Sequence, residues 1–257
     1  LGLQIAKDFN NGLDFSATYS FGDSFILYDQ TSSQNSSNWR GQPTVNGKNA
    51  PKPVGRSFFS QGHRVIGNLS YEIKWNSNLR TQLGLFYTGS EGAPFSYTYR
   101  DGADLLNDDS RDNALIYVPA NENEITLEDP SNSSALNSFI ENNDYLQSRR
   151  GDYVEKNMTR GPWTDIVDLR FVQDLIVSKN KLQFTFDIFN FTNLVNSDWG
   201  RTYNVGRFGF AQPLRTVTAG PDPVFRFQDG SDEPRVRDFG LSGSRWRAQI
   251  GIRYTFK

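Results

Sequence analysis

The chain is constrained most by a side-chain alternation with period two, the signature of β-strands. It is clearest at the end of the sequence. From Trp246 to Phe256, every second residue (Trp246, Ala248, Ile250, Ile252, Tyr254, Phe256) is apolar. The intervening set (Arg245, Arg247, Gln249, Gly251, Arg253, Thr255) is polar and cationic. Strands of soluble sandwiches usually sustain such a pattern for about five or six residues. A strand crossing a bilayer at a tilt needs about 9–11.

The same pattern marks Leu13–Phe21, Val65–Trp75, Thr81–Tyr87, Val167–Phe171 and Leu182–Ile188, and Leu1, Leu3 and Ile5 read as the end of another strand. Seven strands are predicted, over about 1–9, 12–25, 63–75, 79–98, 164–177, 181–194 and 245–257. Their connections alternate strictly in length. Asn10-Asn11, Asn76-Ser77-Asn78 and Ser178-Lys179-Asn180 are tight turns of turn-prone residues. Between them lie long polar loops at about 26–62, 99–163 and 195–244. Transmembrane barrels have short periplasmic turns and long extracellular loops. A soluble sandwich rarely carries loops beyond about 12–15 residues. The expected fold is all-β, a transmembrane antiparallel β-barrel with three long extracellular loops, its C-terminus in the periplasm.

Composition agrees. Only 36% of the 257 residues are hydrophobic, yet 14% are aromatic. Disordered chains are poor in aromatics, whereas a barrel spans lipid with half its residues polar. No apolar run approaches the roughly 18 residues of a membrane helix, and the mean hydropathy is -0.61. A net charge of -2 argues against a nucleic-acid partner. With no cysteine and one histidine, His63, thiolate sites and multi-histidine metal sites are excluded. No metal or cofactor is expected. The opening Leu1-Gly2-Leu3-Gln4-Ile5 has no basic region and no long apolar core, unlike a signal peptide. Seven strands are odd in number, so the chain reads as the C-terminal part of a larger barrel, beginning inside a strand.

Several stretches carry a family likeness. Arg149-Arg150-Gly151-Asp152-Tyr153, Arg160-Gly161-Pro162-Trp163, Asp168-Leu169-Arg170-Phe171 and the run from Leu182 to Trp199 together resemble the end of TonB-dependent outer-membrane receptors. The likeness covers most of the chain from about Gly62 and is nearest the Oar-like branch, with its amino-terminal carboxypeptidase-regulatory-like domain. Barrels of this kind usually end on an aromatic residue, whereas here Lys257 follows Phe256. The resemblance implies a 22-stranded barrel filled by a plug, of which this chain supplies about the last seven strands. It implies active import of a scarce substrate across the outer membrane. The partners it implies are outer-membrane lipid and lipopolysaccharide, a plug domain of the same polypeptide, and the TonB complex through upstream sequence. A surface lipoprotein lid is left open. The alternatives are a passive channel, or an adhesive or envelope-assembly protein that uses the barrel as an anchor.

Two groups of residues are candidate sites. Loop aromatics and the arginines between them suit a ligand platform: Trp39, Tyr97, Tyr99, Trp163, Trp199 and Tyr203, with Arg201 and Arg207. They also suit a packed, rigid cap. Asp168, Arg170, Asp187, Arg247 and Arg253 fall on the polar strand face, where they would meet plug or substrate, or satisfy one another as a cross-strand ladder. The ladder is the better reading. Asp101, Asp104, Asp108, Asp109 and Asp112 cluster in one loop, but their spacing does not match a calcium-binding loop; a solvated acidic loop is expected. Leu136, Phe139, Ile140 and Leu146 are spaced for a short amphipathic helix used for packing. Trp75, Tyr71, Tyr87, Trp246 and Tyr254 suit an interfacial aromatic girdle. No catalytic motif is present, and an enzyme is not expected.

Overall fold

The computed structural model describes residues 1–100, 102–110, 112–205, 209–228, 234–237 and 243–256. Arg207, Asp101, Phe208 and Lys257 lie outside them.

Among the described residues, two principal sheets hold twelve strands: β1 (Gly2–Asp8), β2 (Leu13–Gly22), β3 (Gly62–Lys74), β4 (Leu79–Ser90), β5 (Pro94–Arg100), β6 (Thr126–Leu127), β7 (Thr159–Arg160), β8 (Thr164–Val177), β9 (Asn180–Phe189), β10 (Phe210–Thr218), β11 (Val224–Phe227) and β12 (Arg247–Thr255). Four α-helices accompany them: α1 (Asn35–Arg40), α2 (Ser133–Glu141), α3 (Asp144–Ser148) and α4 (Phe191–Val195).

Seven strands form one antiparallel sheet in the order β1-β2-β3-β4-β8-β9-β12. This is a plain meander, so each hairpin fixes the register of the next. Because side chains alternate, the register lines up whole rows of one character. One face carries Phe15, Leu69, Leu85, Leu169, Ile188 and Ala248 side by side across six strands. One step along, the opposite face carries Asp14, Ser70, Gly84, Arg170, Asp187 and Gln249. The alternation in the sequence is therefore an apolar and a polar face of one sheet. Apolar residues stay open to the surroundings: Ile250 is 66% and Ile252 74% exposed. Strands β1 and β12 each pair on one side only among the described residues.

The buried core lies elsewhere. Its residues, among them Phe95, Tyr97, Val118, Leu146, Leu214 and Phe225, come from the connections between sheet strands, chiefly the second and third long loops. They form a cap around a second sheet of order β7-β5-β10-β11-β6. The expected continuous strand over 79–98 is thus two strands. The chain leaves the large sheet at Ser90 and enters the cap sheet at Pro94. The turn is tight because two backbones touch there: a Cβ on Gly92 would stand 2.5–2.7 Å from backbone atoms of Gly161, which glycine alone avoids. Strand β2 likewise stops at Gly22, before the expected 25, and Phe25–Ile26 pair with Gly55–Arg56 instead. Strand β9 stops at Phe189, where Asn190 adopts a left-handed φ of 55° and starts α4, so residues 191–194 are helical and not strand.

The expected helix around Leu136 is present as α2 and α3. Leu136, Ile140 and Leu146 are buried in the cap core, and Phe139 packs edge-on to Tyr97 at 6.4 Å.

Candidate functional site

The cap is tied to the large sheet by polar contacts at its base. Asp23, just after β2, takes a bidentate contact from Arg56, with Nε–Oδ1 at 3.0 Å and Nη2–Oδ2 at 3.1 Å. Ser60 donates to the same carboxylate at 2.5 Å, and Arg160 stands 3.8 Å away. Arg160 also reaches Glu91 at 3.3 Å. Deeper in, Lys156 pairs with Asp29 at 2.8 Å, both side chains 6% exposed. Asn157, at a left-handed φ of 55°, accepts a hydrogen bond from Ser96 and donates its side-chain N–H to the Arg56 carbonyl, each at 2.9 Å. First and second loops are thereby locked together.

The hydrogen bonds from Arg56 hold the Asp23 carboxyl below its ordinary value, against the opposing effect of burial. A carboxylate whose folded pKa is depressed stabilises the fold above its unfolded value, and that contribution is lost as pH falls through the folded one. The clasp should therefore hold above about pH 4 and loosen below it. Protease sensitivity of the first loop between pH 7 and pH 3 measures this. Asp23→Asn should be looser at neutral pH and show less change across the window.

Two sizeable cavities open in the cap among the described residues. The larger, of about 600 Å³, lies between the first loop and the stretch from Arg149 to Met158. The second, of about 430 Å³, lies beside Tyr99, Tyr117 and Phe225. Val45, Leu115 and Tyr153 line both and form the partition.

The expected ligand platform is not assembled as one surface. Tyr97 and Tyr99 are each 5% exposed. Tyr99 stacks on Phe225 at 4.7 Å and burial pushes its hydroxyl pKa upward. The two tyrosines are core of the cap, a correction that follows from β5 being covered on both faces. Trp163 is also displaced from the group. Its indole N–H donates to Asp165 at 2.9 Å, and Asp165 accepts from Tyr87 at 2.5 Å. A Cβ on Gly89 would collide with both rings, so glycine makes the seat for this pair. Trp163 and Tyr87 thus sit on the apolar face at its loop end.

Trp39 remains exposed, with the Lys48 ammonium 5.0 Å from its ring centre. Trp199 is 54% exposed. Arg201 is engaged with Asp198 and with the Ser197 carbonyl at 3.1 Å, and Tyr203 pairs with Val236 in a short ribbon. No hydrogen bond, ion pair or ring contact joins Trp39 to this cluster among the described residues. Among the described residues of the expected platform, only Tyr99 lines either cavity. The residues that do, such as Pro43, Pro51, Tyr117 and Glu155, gave one weak signal in the sequence: prolines clustered at 43, 51 and 53 in an otherwise polar loop.

On the polar face some of the charges pair across strands. Arg170 meets Asp187 across strands at 3.6 Å. Asp174 takes Lys181 at 2.6 Å and Gln183 at 2.8 Å. Asp168 accepts the Asn190 backbone N–H at 2.7 Å and so fixes the end of β9. Arg247 lies over the Phe189 ring at 5.3 Å, and Arg253 stands opposite Gln183 in register. Of the five candidates, Arg170 and Asp187 form a cross-strand ion pair among the described residues. Among the described residues of the acidic loop, Asp108 accepts from the Lys48 N–H and from Ser110, and Asp104 from the Asp109 N–H. These bonds hold the turn together.

The model of the outer membrane beta barrel domain matches residues 1–220. The chain belongs to this family. No curated protein and no solved structure matches it.

An outer membrane barrel domain resides in the outer membrane of Gram-negative bacteria, and its sheet turns its apolar face to lipid. Leu85, in the middle of an apolar row, should therefore tolerate arginine poorly, at a cost of about 2–4 kcal/mol near the bilayer midplane. Gln249→Arg on the other face should cost little. Urea unfolding from vesicles compares the two. Equal costs would contradict this assignment of faces.

Proposed function

We propose that this barrel domain is the C-terminal part of a TonB-dependent importer that captures a scarce substrate at its extracellular loops. One observation carries the reading: an open sheet is topped by a packed, cavity-bearing cap made from its own loops. Within a bilayer every backbone N–H and C=O needs a partner. The free sides of β1 and β12 therefore call for further strands, as in the large plugged barrel that the sequence resembles. A folded cap with cavities supports selective capture over free diffusion. The cross-linked polar face supplies a firm wall for a plug to slide against.

Two measurements test this. Mass spectrometry of the native outer-membrane protein should find a chain much heavier than 29.2 kDa, with a plug upstream. Growth on candidate substrates should depend on both this protein and TonB. A native mass of 29.2 kDa would sink the importer reading.

A further inference from the structure

We propose that the larger cap cavity is a binding site for an apolar molecule carrying one carboxylate, with the acid group held by Lys52. This inference names a ligand class for the importer reading above and rests on it.

The volume, about 600 Å³, is in the range of small-molecule sites, roughly 300–1,000 Å³. Its walls are stiff. Pro43, Pro51 and Pro53 are among the lining residues, with φ fixed by their rings. Leu115 and Val154, both in the cap core, line it too. A cavity with rigid apolar walls gains affinity because little must be ordered when a ligand enters.

The charges then select the ligand. Five charged side chains line the cavity: Lys52, Arg149, Asp152, Glu155 and Lys156. The other four are engaged in ion pairs. Lys156 holds Asp29 at 2.8 Å, and Arg149 holds Asp152 at 2.7 Å and Glu155 at 3.4 Å. Lys52 pairs with no carboxylate among the described residues. Its ammonium donates to the Lys48 carbonyl at 2.6 Å and the Gly47 carbonyl at 3.5 Å. An ammonium has three donors; the third makes no hydrogen bond among the described residues, with the Tyr28 ring centre 5.9 Å from the nitrogen. Burial pushes the Lys52 pKa down, and the charge of Asp108 pushes it back up. A partly desolvated ammonium with a spare donor favours a carboxylate through a charge-assisted hydrogen bond.

A peptide C-terminus and a fatty acid share this chemistry. The test uses the full-length protein in nanodiscs and isothermal titration with acetyl-Leu-Leu-Phe as free acid and as amide. The free acid should bind, and the amide at least about tenfold more weakly. Lys52→Met should abolish that difference, Lys52→Arg should keep it, and Val45→Trp, which fills the partition, should weaken both probes. Protease resistance of the cap reports that each variant is folded. Displacement of the peptide acid by octanoate supports a fatty-acid source, and resistance to displacement supports a peptide source. Equal binding of acid and amide, a difference that survives Lys52→Met, or no binding of either at millimolar concentration overturns the site. If the site fails while uptake still requires TonB, the importer reading stands without it. If binding holds but TonB is dispensable, the site stands and the importer reading falls.

Discussion

Replacing Asp29 with alanine should destabilise the cap by about 3–5 kcal/mol, the usual effect of removing one partner from a buried ion pair. Lys156 and Asp29 are both almost fully enclosed, so the remaining ammonium would have only the Ile26 and Leu27 carbonyls, each at 3.5 Å. The Phe58 N–H would also lose its acceptor, now 2.8 Å away. Hydrogen exchange at the amides of Leu115 and Val154 should rise sharply, while amides in β3, β4 and β8 keep their protection. The double variant Asp29→Leu/Lys156→Met should recover most of the loss, since apolar pairs of similar volume often replace buried ion pairs without penalty. Unchanged exchange in Asp29→Ala would show that the pair does not hold the first loop down.

Phe95→Ala should cost a similar amount, about 3–5 kcal/mol, through lost burial and the cavity left behind. Phe95 is 2% exposed and stands edge-on to Tyr97 at 5.4 Å. Ile250→Ala removes apolar atoms from a side chain that is 66% exposed, so it should matter far less to packing. The informative measurement has two channels: proteolysis of the cap, and heat resistance of the barrel on gels. The first should change and the second should not. Loss of heat resistance in Phe95→Ala would refute the division into a wall and a separately packed cap.

The wall was legible because it obeys a single local rule. Alternation along Val65–Trp75 or Arg245–Phe256 reports directly which face each side chain takes, and turns such as Asn76-Ser77-Asn78 set the hairpins. The cap was not legible for the same reason. In β5, every residue from Pro94 to Tyr99 is buried, so alternation there carries no information about inside and outside. Strand β10 contains Pro213 and runs parallel to β5, a pairing between distant segments that no local pattern announces. Tyr97 and Tyr99 looked like loop aromatics awaiting a ligand because the break at Gly92 is visible only once Gly161 lies against it. The Arg170–Asp187 pair follows from the register, which sets the two side chains opposite each other. The cavities were not, because they form between loops far apart in sequence.

That separation has a consequence for how the protein is made. The wall can be laid down hairpin by hairpin, since each strand pairs with one already in place or with its own neighbour. The cap sheet joins β5 to β10 and β11 to β6, across sequence separations that make closure slow. Its pieces must all be delivered to the same side of the membrane before any core exists to receive Phe95 or Leu214. On contact order, the three loops should condense into the cap after the hairpins of the wall have paired.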